Sequence, residues 1–124
     1  MKKILLIVVF ALTLTACSSN KATLNVTATN QGYDSSTYTV PADAEVTVNF
    51  TSNGAVEYGF IILKQGEHVT PPYQTKDDDK VMWYIVALPG ETKSGTFKAP
   101  AEPGEYDIIC PESGMKATLV VKEK

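Results

Sequence analysis

The sequence predicts an all-β chain, an antiparallel Greek-key β-sandwich of about eight strands. Three observations point there. Apolar and polar residues alternate with period two over most of the chain, as strands with one buried face require. Turn residues (Gly, Pro, Asn, Asp, Ser) interrupt that alternation at intervals of roughly 8–12 residues. No stretch after residue 21 carries apolar residues at helical spacing.

The beginning of the chain reads differently. Lys2 and Lys3 precede an unbroken apolar run, Ile4 to Ala11, continued by Leu12 and Leu14. Charge followed by a short apolar segment is the pattern of an export signal, and the run is short for a membrane span. It ends in Leu14-Thr15-Ala16-Cys17, which resembles the lipobox of bacterial lipoproteins. That resemblance implies cleavage after residue 16, lipidation of Cys17 and attachment to a membrane through acyl chains. The expected organisation is a signal peptide over 1–16, a lipidated tether over 17–21 and one domain over 22–124. The expected location is the extracytoplasmic side of the cell envelope.

After such cleavage nine lysines face fourteen acidic residues, a balance of −5, with no arginine. Nucleic acid is therefore not an expected partner, since it requires clustered positive charge. Lipidation of Cys17 would leave Cys110 as a lone thiol with no disulfide partner. A thiol kept outside the cytoplasm is buried, bound to metal or reactive.

The strands follow in order. Ala22 to Thr29 alternates Leu24, Val26 and Ala28 against threonines and Asn25. Asn30 to Ser36 is rich in turn residues. Thr37 to Val40 is a short strand stopped by Pro41. Ala44 to Thr51 puts Val46, Val48 and Phe50 on one face. Val56 to Leu63 is the most apolar run and is expected at the centre of a sheet, with Val56, Tyr58, Phe60 and Ile62 on one side. Lys64 to Lys80 is a seventeen-residue loop holding the single histidine, His68, and the run Asp77-Asp78-Asp79. These three acids lack the alternating spacing of a calcium loop and read as a solvated charged segment. Val81 to Leu88 and Glu91 to Ala99 are the next strands.

The last stretch, GEYDIICPESGMKATLVV from Gly104 to Val121, reads as a hairpin. Tyr106, Ile108 and Cys110 share one face of its first strand; Met115, Ala117, Leu119 and Val121 share one face of its second. Pro111, Ser113 and Gly114 supply the turn. A thiol and a thioether are thus held at one end of a sheet. Two soft sulfurs so placed suit copper, or they close the core as two small apolar side chains. Enzyme chemistry is not expected: nothing marks a nucleophile for the single imidazole, His68, to serve, and no phosphate-cradling glycine loop appears.

The order of segments resembles the cupredoxins, the azurin, auracyanin and plastocyanin group of blue copper domains. It runs TYTVPADAEVTVNFTSNGAVEYGFIIL, a long loop, then ALPGETKSGTFKAPAEPGEYDIICPESGMKATLVV. The likeness extends from about Ser36 to the C-terminus. It implies a two-sheet sandwich that binds one copper ion at one end and passes electrons. In that family two imidazoles and a thiolate form a plane around the metal, with an axial thioether. Cys110 falls on the thiolate position and Met115 on the axial one. Tyr58, in EYGF, stands where the first histidine is expected, and Ser113 lies nearest the second. Both imidazoles are absent from those positions, and the hairpin is trimmed.

The expected function is therefore a membrane-anchored, extracytoplasmic cupredoxin-like lipoprotein with a degenerate type 1 copper site. It would act as a binding or accessory module beside an envelope protein, or handle Cu(I) through Cys110 and Met115, with Glu112, Glu57 or His68 as further donors. One alternative is an electron carrier with an atypical ligand set borrowing Glu112 or His68. Another is a metal-free interaction domain. Copper is the one cofactor implied.

Overall fold

The computed structural model describes residues 20–124. The segment expected to be a signal peptide, and Cys17, lie outside the described residues. Among the described residues nine strands form two sheets packed face to face. Their ranges are β1 Lys21–Thr29, β2 Gly32–Tyr33, β3 Thr37–Pro41, β4 Glu45–Ser52, β5 Tyr58–Leu63, β6 Val81–Ala87, β7 Thr92–Lys98, β8 Gly104–Ile109 and β9 Lys116–Lys122. One sheet has the order β2-β1-β4-β7 and the other β3-β9-β8-β5-β6. The β-sandwich expected from the sequence is present.

Period-two alternation explains the core. Leu24, Val26 and Ala28 of β1 and Val46, Val48 and Phe50 of β4 face inward from one sheet. Phe60 and Ile62 of β5, Ile108 of β8 and Leu119 and Val121 of β9 meet them from the other. Phe60 is fully buried, with ring centroids 5.5 Å from Tyr33, 5.7 Å from Tyr38 and 5.8 Å from Phe50.

Four features depart from the sequence reading. First, β1 pairs with β4 in parallel, and β3 pairs with β9 in parallel, so the sheets are mixed rather than wholly antiparallel. Alternation tells which face a residue takes but not which strand lies beside it. Second, the turn-rich segment contains β2, a two-residue strand that places Tyr33 against the core. Third, β5 begins at Tyr58, and Val56 stands exposed before it. Fourth, all six residues of β5 are buried, because the 64–80 loop lies over the outer face of its sheet. There Val69 and Tyr73 cover Ile61, Leu63 and Ile109 in a second, smaller core. A 3₁₀ helix over Thr75–Lys80 ends this loop. Its Asp77 is nearly buried: the carboxylate accepts the Gln74 N–H at 3.0 Å, which holds it below the usual carboxylate range, and it pairs with Lys80 at 3.4 Å.

Candidate functional site

One end of the sandwich is built where β5 starts, β8 finishes and β9 begins. Antiparallel pairing of β5 with β8 sets Ile61 opposite Ile109, so Cys110 falls beside the first residues of β5. Cys110 is 3% exposed and belongs to the main core. Its Sγ accepts the Gly59 N–H at 3.5 Å. The close approach depends on glycine: a Cβ at residue 59 would stand 3.0 Å from Pro111 Cδ, so Pro111 lies on the face a side chain would occupy.

Two tyrosines close this end. Tyr58 is buried, and its hydroxyl donates to Asn30 Oδ1 at 2.7 Å. The Asn53-Gly54 turn passes so near that a Cβ on Gly54 would sit 2.5 Å from the Tyr58 ring. Tyr33, reaching across from the other sheet, donates its hydroxyl to the Gly59 carbonyl at 2.6 Å. Burial, then the nearby Cys110, Tyr38 and Glu112, push the Tyr33 hydroxyl well above its ordinary value, so it stays a donor. Gly59 is therefore held on both sides, its carbonyl by the Tyr33 hydroxyl and its N–H by the Cys110 sulfur.

The hairpin turn is short. Cys110 N–H donates to the Met115 carbonyl at 3.1 Å, and Met115 packs, half-buried, against the core edge. Ser113 is exposed, and its Oγ accepts the Met115 N–H at 3.4 Å. Glu112 is exposed beside Pro111; partial desolvation, then the charge of Glu57, raise it above the usual carboxylate range. His68 is elsewhere. It sits in the loop over the outer face, 75% exposed, with Nδ1 2.7 Å from Asp107 Oδ2.

The structure thus brings together Cys110, Met115 and Tyr58 and leaves His68 on another partner. Among the described residues no three His, Cys, Asp or Glu side chains converge in a metal-holding group. The donors at this end are a thiol, a thioether, a phenol already committed to Asn30 and an exposed hydroxyl. That set does not fit a type 1 copper plane, which needs two imidazoles beside the thiolate. Sequence reasoning missed Tyr33 and Asn30. Both lie in a segment whose only signal was turn composition, and nothing in it marks a residue that reaches across the sandwich.

The sequence matches the cupredoxin-like domain family over residues 2–121. The chain belongs to that family. None of the curated proteins compared matches it. Solved structures of auracyanins share the fold of this cupredoxin-like chain. Auracyanin from the photosynthetic bacterium Roseiflexus castenholzii, in its dithionite-reduced form, superposes with a TM-score of 0.66 at 23% identity, covering 84% of this chain and 98% of that one. Auracyanin B gives 0.69 at 23% identity, with 85% and 91% covered. Auracyanin A, a blue copper protein from the green thermophilic photosynthetic bacterium Chloroflexus aurantiacus, gives 0.62 at 27% identity, with 81% and 99% covered. The auracyanin likeness expected from the order of segments is met.

The acid pair yields a pH prediction. A carboxyl raised in the folded state contributes stability below its unfolded value, and that contribution is lost as pH rises through the folded value. Ionised Glu112 therefore opposes folding at neutral pH. Glu112→Gln is expected to raise the thermal midpoint slightly at neutral pH and to leave it unchanged in the acid range. The gain is only a few tenths of a kcal/mol, because water screens an exposed group. Thermal scans across pH check it, and an equal gain at acid pH would remove the electrostatic explanation.

Proposed function

We propose that this cupredoxin-like protein is an exported, lipid-anchored envelope module that has given up electron transfer and works as a binding or accessory domain. One observation carries the reading: the phenol of Tyr58 fills the end of the sandwich where the family resemblance puts a ligand imidazole. That phenol is buried and already bonded to Asn30. The export pattern of residues 1–17 supports the envelope location, and the acidic, arginine-free composition argues against a nucleic-acid partner.

The geometry also bears on orientation. Lys21, the first residue of β1, pairs with Glu45, whereas Thr29, its last, lies next to Asn30 and hence at the Tyr58 end. A lipid on Cys17 would tether the end opposite Tyr58 and Cys110, which then faces away from the membrane.

A second reading is favoured by the sulfur pair. Cys110 and Met115 stand at one hairpin mouth, and two soft donors suit Cu(I) without any demand for a planar imidazole set. Copper titration separates the two. In a Cys17→Ser chain, Cu(II) is expected to give no intense thiolate-to-copper band in the visible. An intense band lost in Cys110→Ala would overturn the proposal and restore an electron carrier. Stoichiometric Cu(I) binding lost in Cys110→Ala would establish the copper-handling reading in its place.

A further inference from the structure

Four strands form the sheet edges, and three of them are guarded against pairing with another chain. β2 is only two residues long. β3 runs into Pro41. β7 carries Lys93 and Lys98. Short length, proline and lysine are the ordinary means by which an edge is protected. The fourth edge, β6, has none of them. Its seven residues, VMWYIVA, contain no charge and no proline. Among the described residues its backbone hydrogen bonds go to β5, apart from the Val81 N–H, which donates to Asp78 O.

The surface beside this edge is also apolar. Register with β5 sends Trp83 and Ile85 inward with Ile62 and Phe60, and Tyr84 and Val86 outward with Ile61 and Gly59. The 64–80 loop covers Ile61 but stops short of Tyr84, which is 62% exposed. An open groove of about 800 Å³ results, with Tyr84, Val86, Met82, Tyr73 and Pro111 among its walls. The other two large exposed apolar residues among those described, Val56 and Leu88, flank the paired ends of β5 and β6, since Tyr58 pairs with Ala87. So the exposed apolar surface gathers along one unguarded strand.

Charge decides the occupant. Asp78 lines the groove, with Asp77 and Asp79 beside it in the 3₁₀ helix; Glu57 and Glu112 stand at the Pro111 end. Lys80 is paired with Asp77, and Lys76 and Lys64, whose N–H donates to the Lys80 carbonyl, stand at the same end but do not line the groove. Asp78 is nevertheless the one charged side chain among the described residues lining the groove, the Pro111 end carries two more acids, and the strand between is uncharged. A second copy paired along this edge would present its own uncharged β6 and bring no cation to Asp78. We infer that β6 takes up an extended segment of a partner protein, apolar on one face and carrying lysine or arginine on the other, as an added strand. This deepens the binding-module reading, yet its test is separate: the copper titrations probe that reading, and amide protection on β6 probes this one.

The experiment uses the purified full chain and a short synthetic peptide alternating valine and tyrosine with lysine. Trp83 is the only tryptophan and lies on β6, so its emission reports occupancy. The expected result is saturable binding, slowed exchange of the outward-pointing β6 amides, and weakening as salt is added. A peptide with a central proline, and one with aspartate for lysine, are expected not to bind. Tyr84→Lys, at an exposed position that leaves the fold intact, is expected to weaken binding at least about tenfold. Binding without β6 protection, equal binding of the acidic peptide, or no binding would overturn the inference. Concentration-dependent dimerisation through β6 would also overturn it, giving the edge to a second copy.

Discussion

Phe60→Ala is expected to cost about 3–5 kcal/mol, because a fully buried aromatic is removed from a close-packed site that cannot collapse to fill it. For a domain of this size that corresponds to a fall in the thermal midpoint on the order of 20 °C. The loss is not only local. Phe60 supports Tyr33 edge-on at 5.5 Å, and Tyr33 holds the Gly59 carbonyl. Gly59 in turn donates to Cys110. Denaturant unfolding with an unchanged m-value would measure the stability term. Thiol labelling of Cys110 would measure the second effect, and is expected to be faster in the variant than in the parent. Tyr84→Ala, on the exposed side of the same sheet, is the control, expected within about 0.5 kcal/mol of the parent. A Phe60→Ala cost below about 1 kcal/mol would mean that the aromatic cluster is not the centre of this core.

Strand positions and faces were legible because one buried face per strand leaves a period-two trace, and β1, β4, β8 and β9 show it. β5 shows where that trace fails. Tyr58 to Leu63 is continuously apolar, and a run without alternation signals a strand buried on both faces. The second cover is the 64–80 loop, whose Val69 and Tyr73 carry no periodic pattern of their own. Parallel pairing of β1 with β4 and of β3 with β9 was equally silent, since neighbours are chosen by the whole sandwich rather than by any one strand.

The sulfur hairpin was legible for a local reason. Cys110 directly follows β8 and Met115 directly precedes β9, with four residues between them, so sequence distance and spatial distance agree. The rest of the site is non-local. Tyr33 and Gly59 are 26 residues apart, and Tyr58 and Asn30 are 28 apart. His68 illustrates the converse: its neighbour Val69 is buried under the loop, which turns the imidazole outward to Asp107. The chemistry-bearing residue of a loop follows the packing of the apolar residue beside it.

The second large effect is expected at Tyr58. If its ring is a plug, Tyr58→Ala removes a buried aromatic from beneath the Asn53-Gly54 turn and costs about 3–4 kcal/mol. Tyr58→Phe keeps the ring and loses only the bond to Asn30 Oδ1, which also accepts the Ala55 N–H at 3.3 Å and so keeps a partner. Its cost is therefore about 1 kcal/mol. The ratio of the two costs is diagnostic. A side chain at the mouth of an open ligand site has little packing to lose, so both substitutions would then fall below about 1 kcal/mol. Urea or guanidinium melts of the two variants supply the comparison. A large gap between them places Tyr58 in the core of the fold, bonded through its hydroxyl and packed through its ring. A side chain so committed on both counts is not free to turn toward a metal at Cys110, and the binding role then has to be sought on the sandwich's outer surfaces. Two small and similar costs would reopen this end of the molecule as a ligand site and would overturn the proposal that electron transfer has been given up.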